Sequence, residues 1–120
     1  MDTLLRIAVI MGGYSEEREI SLKSAAQVQK HLDPSKYETY LIDIRKDGWF
    51  YTCDSITYPL DKNDFSLLLN DKRIHFDVVF NAIHGTPGED GQLLAYFELL
   101  GIPYTIIVSI LLHKLSDTFK

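Results

Sequence analysis

The order of apolar and polar positions predicts a strand followed by a helix at the start of the chain. Residues 4–10 form an apolar run, rich in Ile and Val and interrupted only by Arg6, which ends at the glycine pair of residues 12–13. Such a run is typical of a strand buried on both faces of a parallel sheet. Ser15 can cap the following helix, which the Asp-Pro pair of residues 33–34 ends. The apolar positions of this helix lie near one face: Ile20, Ala25, Val28 and Leu32.

Further apolar segments continue this alternation of strand and helix. Residues 37–45 alternate with a period of two and predict a second strand, and residues 76–83 predict a third. Residues 91–100 have apolar positions at helical spacing and end at Gly101, after which residues 103–105 begin a fourth, short strand. This order predicts one α/β domain with an open, mostly parallel sheet and helices on both faces, of the flavodoxin or Rossmann type.

The middle of the chain has a less regular pattern. The turn dipeptide Asp-Gly at residues 47–48 precedes the aromatic run of residues 49–51, which can pair back as a short hairpin strand. Residues 52–73 are mixed and polar, and Pro59 is expected to break any regular element there. We therefore expect irregular structure in this segment, with one helical turn near residues 65–69.

Length, charge and cysteine content narrow the range of functions. With 120 residues, 46% of them hydrophobic and 24% charged, the chain has the composition of one soluble globular domain. A net charge of -5 without a dense Lys/Arg run argues against nucleic acid as a partner. The apolar run near the N-terminus is too short to cross a membrane, so we expect a cytoplasmic protein with no membrane partner. Cys53 is the single cysteine and cannot form an internal disulfide, and no Cys/His spacing predicts a structural zinc site.

Two loops at the carboxyl ends of predicted strands contain the residues suited to chemistry. They are GGYSEERE, residues 12–19, and HGTPGEDG, residues 84–91. Ligands of open α/β sheets bind at this edge of the sheet, where Glu17 and His84 could face one small molecule. A carboxylate at a helix N-terminus can receive an ammonium group, and an imidazole on a glycine-rich loop can offer a proton to a carboxylate. The pair therefore predicts a pocket for an amino acid.

Simpler interpretations of the same residues remain open at this point. Glu17 and its acidic neighbours Glu16 and Glu19 could merely complement the dipole at a solvated helix start. His84 could be held by the backbone of a tight turn. The glycine pair of residues 12–13 lacks both the GxGxxG spacing and the Walker pattern of phosphate-binding loops, so it could be only a turn.

Both loops resemble the signature motifs of a known enzyme family, the D-alanine–D-alanine ligases. GGYSEEREISLKSA and HGTPGEDGQLLAYFELLGIPYT are similar to the two N-terminal motifs of that family, and the likeness extends over residues 7–105. The resemblance implies an ATP-grasp enzyme that uses ATP and Mg2+, or Mn2+, to join two D-alanines for peptidoglycan synthesis. It also implies a cytoplasmic homodimer.

The resemblance assigns roles to four residues. In this family the glutamate matching Glu17 holds the ammonium group of the first D-alanine, and the histidine matching His84 lies near its carboxylate. The serine matching Ser21 helps to organise the first loop, and the carboxylate matching Glu89 has a supporting role in the second. The resemblance therefore implies four substrate-binding residues, of which Glu17 is also catalytic.

The end of the chain departs from the family pattern. Residues 106–120, IIVSILLHKLSDTFK, do not match, and the apolar positions within residues 106–119 predict a terminal helix. The ATP-binding and metal-binding residues of the family belong to its central and C-terminal domains. The resemblance thus implies that residues 1–120 are the N-terminal pre-ATP-grasp domain without the ATP-grasp domains. Such a domain is expected to be inactive alone, because phosphoryl transfer depends on metal ions and positioned cations.

Two other functions are compatible with the sequence. The chain could be a non-catalytic dimerisation or binding module if the aromatic residues 49–51 or the apolar tail are exposed. It could also belong to a ligase that joins D-alanine to D-lactate or D-serine, because the residues that select the second substrate lie in other domains of the family.

Overall fold

The computed structural model describes residues 4–83 and 91–106, which form eight strands and two helices. In chain order these are β1 (Leu5–Gly12), α1 (Arg18–His31), β2 (Tyr37–Arg45), β3 (Gly48–Cys53), β4 (Ile56–Asp61), β5 (Ser66–Leu69), β6 (Lys72–Ile74), β7 (Val78–Asn81), α2 (Gln92–Leu100) and β8 (Tyr104–Ile106). The terminal helix predicted for residues 106–119 lies outside the described residues, except that residue 106 ends β8.

All the described strands belong to one sheet, in the order β6-β5-β4-β3-β2-β1-β7-β8. β1 pairs in parallel with β2 and β7, and β7 pairs in parallel with β8. From β2 to β6 each strand pairs antiparallel with the next. The predicted α/β fold is confirmed, and its parallel half consists of the strands that the periodicity predicted. Beyond the predicted hairpin strand at residues 49–51, β4, β5 and β6 extend the sheet, which is therefore mixed rather than mostly parallel.

The two faces of β1 are covered by different helices. Ile7 and Val9 pack on the side of α1, whereas Ala8 and Ile10 pack on the side of α2. The buried helix residues in these two cores are Ala25 and Val28 of α1, and Leu93 and Phe97 of α2. Burial on both faces explains why β1 reads as a continuous apolar run rather than as an alternating one.

Aromatic side chains dominate the core beneath α2. Trp49 packs edge-on against Tyr96 with ring centroids 5.1 Å apart, and Phe65 packs in the same way on Phe97 at 4.8 Å. Trp49 is only 9% exposed, and the two residues after it are half-buried. The aromatic run of residues 49–51 therefore lacks the exposed surface that a binding module would require, although it forms the predicted hairpin strand as part of β3.

The expectation of irregular structure in residues 52–73 was wrong, because this segment contains β4, β5 and β6. Two of the connections are two-residue turns, whereas residues 62–65 join β4 to β5. Asp54 and Ser55 connect β3 to β4, and Asn70 and Asp71 connect β5 to β6, all with positive φ. Positive φ at both central residues is the pattern of a type I′ hairpin turn, which Asn and Asp tolerate better than most residues.

Two local expectations within this segment also fail. Pro59 lies inside β4, opposite Phe50 of β3. It is tolerated because β5 pairs with β4 only beyond the proline, so one side of the strand is unpaired at this position. The helical turn expected at residues 65–69 is absent, because Phe65 has a φ of 55° and Ser66–Leu69 forms β5.

The helices differ from the sequence-based predictions at α1 and agree with them at the end of α2. α1 begins at Arg18 with Glu17 as its N-cap residue, rather than Ser15. Ile20, which we assigned to the apolar face of α1, is 54% exposed. Gly101 ends α2 in the left-handed conformation with a φ of 74°, as the glycine at that position predicted.

Candidate functional site

The first loop leaves β1 through two glycines at the carboxyl edge of the sheet. Gly12 and Gly13 have φ values of 91° and 85°, a region that favours glycine because it has no Cβ. The N–H of Gly13 donates to the carbonyl oxygen of Ile44 in β2, 2.8 Å away. The loop is thus anchored to the neighbouring strand at the edge where parallel sheets bind their ligands.

Glu17 occupies the start of α1, directly after this turn. Its N–H donates to Oγ of Ser15 at 3.1 Å, and its carbonyl oxygen accepts the N–H of Ser21 at 3.0 Å. The Glu17 side chain is exposed and makes no capping hydrogen bond within the described part of the chain. A carboxylate here is stabilised by the positive end of the helix dipole and is accessible to a cationic ligand such as an ammonium group.

Ser21 links the two strands that lead into the loops. Its side chain is fully buried, and its Oγ accepts the N–H of Gly12 at 2.9 Å. The same hydroxyl donates to the carbonyl oxygen of Ala82 at 2.7 Å, just beyond β7. One buried hydroxyl in α1 therefore holds the ends of β1 and β7 at a fixed separation. Both of these hydrogen bonds are made inside the protein, to the backbone at the ends of the two strands.

The second loop begins at the same edge of the sheet. Beyond β7, the N–H of Ala82 donates to the carbonyl oxygen of Ile10 at 2.9 Å, and Ile83 is buried beside it. His84 follows immediately, but His84 and Glu89 lie outside the described residues, so their roles stay predictions. Ile83, the last described residue before the gap, directly precedes His84. It follows β7, the strand next to β1.

Asn81, which the sequence analysis did not single out, shapes the exit from β7. It is fully buried, and its Nδ2 donates to the hydroxyl of Tyr104 in β8 at 2.7 Å. Its Oδ1 accepts the N–H of Ile83 at 2.9 Å, which turns the chain towards the second loop. The available signal was a polar amide inside the largely apolar run of residues 76–83, since buried polar groups almost always have hydrogen-bond partners.

An ion pair that the sequence analysis also missed lies beside the first loop. Nη2 of Arg18, the first residue of α1, is 2.7 Å from Oδ2 of Asp43 near the end of β2. The hydrogen bond to Asp43 raises the pKa of the Arg18 guanidinium. The alternation of β2 places Asp43 on the face that α1 covers, so a cation on α1 was a possible partner. The sequence alone could not identify Arg18, among the basic residues of the chain, as the partner of Asp43.

The described residues contain no group of three or more His, Cys, Asp or Glu side chains able to hold a metal ion. In the same part of the chain, no helix combines the length and the apolar character needed to cross a membrane. The described part of the site thus consists of the starts of the two loops, the exposed carboxylate of Glu17 and the buried hydrogen bonds of Ser21.

Comparison with known proteins bears directly on this arrangement. The family model for the D-ala D-ala ligase N-terminus matches residues 6–106. The chain belongs to the D-alanine–D-alanine ligase family. A D-alanine–D-alanine ligase of Christiangramia forsetii is 54% identical over 101 residues, which cover 83% of this chain and 31% of that ligase. The resemblance inferred from the two motifs is confirmed.

Solved structures of ligases have the same fold. The D-alanyl-alanine synthetase A of Vibrio cholerae matches with a TM-score of 0.74 and 35% identity, over 87% of this chain and 31% of that one. The VanG D-Ala:D-Ser ligase of Enterococcus faecalis matches with a TM-score of 0.73 and 30% identity, over 85% of this chain and 35% of that one. The chain therefore spans about a third of the length of these ligases, over their N-terminal part.

Proposed function

We propose that this domain of the ligase family holds the first D-alanine in an ATP-dependent D-alanine–D-alanine ligase. The observation that supports the proposal most strongly is the Ser21 bridge. It joins the end of β1, which leads to Glu17, to the end of β7, which leads to His84. Two loops fixed in this way can converge on one zwitterion at the edge of the sheet.

Glu17 is the proposed anchor for the ammonium group of the first D-alanine. Its carboxylate is exposed and is not used for capping within the described residues, so it can take an ammonium partner without breaking an internal bond. A charge-assisted hydrogen bond of this kind fixes orientation as well as affinity. With its ammonium group held, the substrate presents its carboxylate to the phosphoryl donor, which is the proposed catalytic role of Glu17.

His84 and Glu89 belong to the proposed second wall of the pocket. His84 follows Ile83 directly and would lie towards the substrate carboxylate, where an imidazole can donate a hydrogen bond and offset negative charge. Glu89 would support that loop. Ser21 would organise both loops, because its hydroxyl already holds a backbone group from each side.

The proposed reaction activates a carboxylate that is otherwise inert towards amines. The first D-alanine carboxylate attacks the γ-phosphorus of ATP, giving an acyl phosphate and ADP. The neutral amine of the second D-alanine then attacks the acyl carbon and releases a proton, and phosphate leaves with the electrons of the broken C–O bond. Mg2+, or Mn2+, offsets the phosphate charge in such reactions. We place the contacts to ATP and metal in the parts of such a ligase that this chain does not span. The dipeptide would be used for peptidoglycan synthesis in the cytoplasm, and the whole ligase would act as a homodimer.

D-Serine is a second candidate for the acceptor. One of the similar structures is named a D-Ala:D-Ser ligase, and it matches this domain almost as well as the D-alanyl-alanine synthetase does. The described residues concern the first D-alanine in either case. D-Alanine–D-lactate ligation differs in the same way, in its acceptor only.

A chimeric ligase tests the proposal. Residues 6–106 of this chain would replace the matching segment of the Christiangramia forsetii ligase, and ADP and dipeptide would be measured with D-alanine, with L-alanine, and with D-alanine plus D-serine. We expect ADP release and D-alanyl-D-alanine only when D-alanine is present, and no turnover by the 120-residue chain alone. A folded chimera that binds ATP but forms no dipeptide would contradict the proposal.

A further inference from the structure

The ion pair between Arg18 and Asp43 ties the start of α1 to β2, one residue after Glu17. Besides the 2.7 Å contact with Asp43, Nη1 of Arg18 lies 3.5 Å from the carbonyl oxygen of Ile44. In the register of the parallel pair, Asp43 is the partner of Met11 in β1. The pair therefore spans three elements that meet at the first loop.

The same ion pair packs against the backbone of Gly12. A Cβ added at Gly12 would come within 2.3 Å of Nη1 of Arg18 and 2.5 Å of Oδ1 of Asp43. Only a residue without a side chain leaves room for both partners. The loop that leads to Glu17 therefore packs directly against the ion pair at Gly12.

We propose that Arg18 and Asp43 are positioning residues for Glu17. The pair fixes the first turn of α1, which sets the direction of the Glu17 carboxylate. Asp43 and the carbonyl oxygen of Ile44 hold the guanidinium of Arg18 on the side of β2. This inference rests on the function proposed above for Glu17.

The exposure of the pair argues for positioning rather than for stability. The side chains of Arg18 and Asp43 are 34% and 21% exposed, and partly exposed ion pairs contribute little to the free energy of unfolding. The buried Oδ1 of Asp43 has no hydrogen-bond partner among the described residues, which is a cost rather than a gain. Removal of the carboxylate is thus expected to change local geometry more than global stability.

Amide hydrogen exchange on the 120-residue chain tests the local part of this inference. In Asp43→Asn, the amides of Arg18 and Ser21 should exchange severalfold faster, because their bonds close the first turn of α1. The amide of Ile42, in the middle of β2, should keep its rate. Unchanged exchange at the helix start, or a uniform rise over the whole sheet, would overturn the inference.

The matched control is an ion pair at the opposite end of the same two strands. Arg6 and Glu38 are register partners of β1 and β2, with Nε and Oε1 3.8 Å apart. Arg6→Gln removes a cation of similar exposure from β1 without touching the first loop. It should leave exchange at Arg18 and Ser21 unchanged.

Steady-state kinetics in the chimeric ligase test the functional part. Asp43→Asn should raise the apparent KM for the first D-alanine severalfold with a smaller change in kcat, whereas Arg6→Gln should change neither. The double variant Arg18→Gln/Asp43→Asn should raise the KM no further than Asp43→Asn does, because either substitution breaks the same ion pair. Arg18→Lys keeps the charge but loses the planar, forked guanidinium. Its apparent KM for the first D-alanine should lie between those of the unmutated chimera and Asp43→Asn.

The outcomes separate this inference from the proposed function. If the unmutated chimera forms dipeptide and Asp43→Asn has the same KM as Arg6→Gln, the positioning role is overturned while the function stands. If the unmutated chimera binds ATP but forms no dipeptide, the proposed function fails, and the exchange experiment still decides whether the pair fixes the helix start.

Discussion

The hydroxyl of Ser21 donates a hydrogen bond to the carbonyl oxygen of Ala82 at 2.7 Å, and so joins α1 to the chain that leaves β7. Since the same oxygen accepts the N–H of Gly12, a single buried atom fixes the separation of the two candidate loops. The starts of both candidate loops are therefore held by hydrogen bonds within the domain itself.

Ser21→Ala is expected to destabilise the domain by about 1–3 kcal/mol. The substitution leaves the N–H of Gly12 and the carbonyl oxygen of Ala82 without this partner in a buried place. Urea unfolding monitored by the fluorescence of Trp49 measures the change in the free energy of unfolding. Gln27→Ala, at an exposed position of the same helix, should stay within about 0.5 kcal/mol of the wild type. Equal effects of the two substitutions would show that the bridge contributes nothing.

Gly12→Ala is expected to destabilise the domain more than Gly101→Ala does. Both glycines have positive φ, which costs a residue with a Cβ about 1–2 kcal/mol. At Gly12 the new Cβ would also meet Arg18 and Asp43 at 2.3 and 2.5 Å, whereas at Gly101 no described atom lies within 4 Å. The difference between the two variants therefore reports the steric contact alone. Equal losses in the free energy of unfolding would show that the ion pair moves aside without cost.

Tyr96→Phe is expected to weaken the loss of stability at alkaline pH. Burial, with help from the nearby charges of Asp64 and Asp61, raises the pKa of Tyr96 to about 12. The unfolded chain releases the tyrosine proton near pH 10, so the contribution of this group is complete below about pH 10 and is lost as the pH rises towards 12.

The free energy of unfolding at about pH 9 and about pH 11 measures this effect. The wild type should lose more stability between the two values than Tyr96→Phe does. The variant also lacks the 2.6 Å hydrogen bond from the Tyr96 hydroxyl to the carbonyl oxygen of Lys62, so the comparison is of slopes rather than of absolute stabilities. Identical slopes would contradict the raised pKa.

The parallel half of the fold was predictable because its periodicity is strong. Residues 37–45 alternate cleanly, and β2 covers the same residues in the structure. Residues 4–10 read as a continuous apolar run because α1 and α2 cover opposite faces of β1. In both strands the burial leaves a pattern within the strand itself, so the sequence was sufficient there.

β3 was predicted from the Asp-Gly dipeptide before it, but β4, β5 and β6 were missed because the turns at residues 54–55 and 70–71 lack the usual signals. Asn-Gly and Asp-Gly are the common dipeptides of two-residue hairpins, but Asp54-Ser55 and Asn70-Asp71 serve here with positive φ throughout. Pro59 argued against a strand, and its tolerance depends on how far β5 extends along β4. That extent is a property of tertiary pairing rather than of local sequence.

The candidate site was predictable at the level of motifs but not of contacts. The position of Glu17 at the start of a helix followed from the sequence, and the structure agrees. The partners of Ser21 and Arg18 did not follow, because they come from β7 and β2, far away along the chain. Long-range hydrogen bonds of this kind leave no periodic signal.

Glu17 is the residue on which the proposed function most depends, and its substitution in the chimeric ligase is the most direct measurement. Glu17→Gln keeps the shape of the side chain and removes its charge. The expected loss of a charge-assisted hydrogen bond, about 1.5–3 kcal/mol, corresponds to a rise of about tenfold or more in the apparent KM for the first D-alanine.

Glu16→Gln and Glu19→Gln are the matched controls, because both are exposed acids at the same helix start. If Glu17 binds the ammonium group, only Glu17→Gln will raise the apparent KM for the first D-alanine. An unchanged KM in Glu17→Gln, or an equal rise in all three variants, would show that these acids only complement the helix dipole.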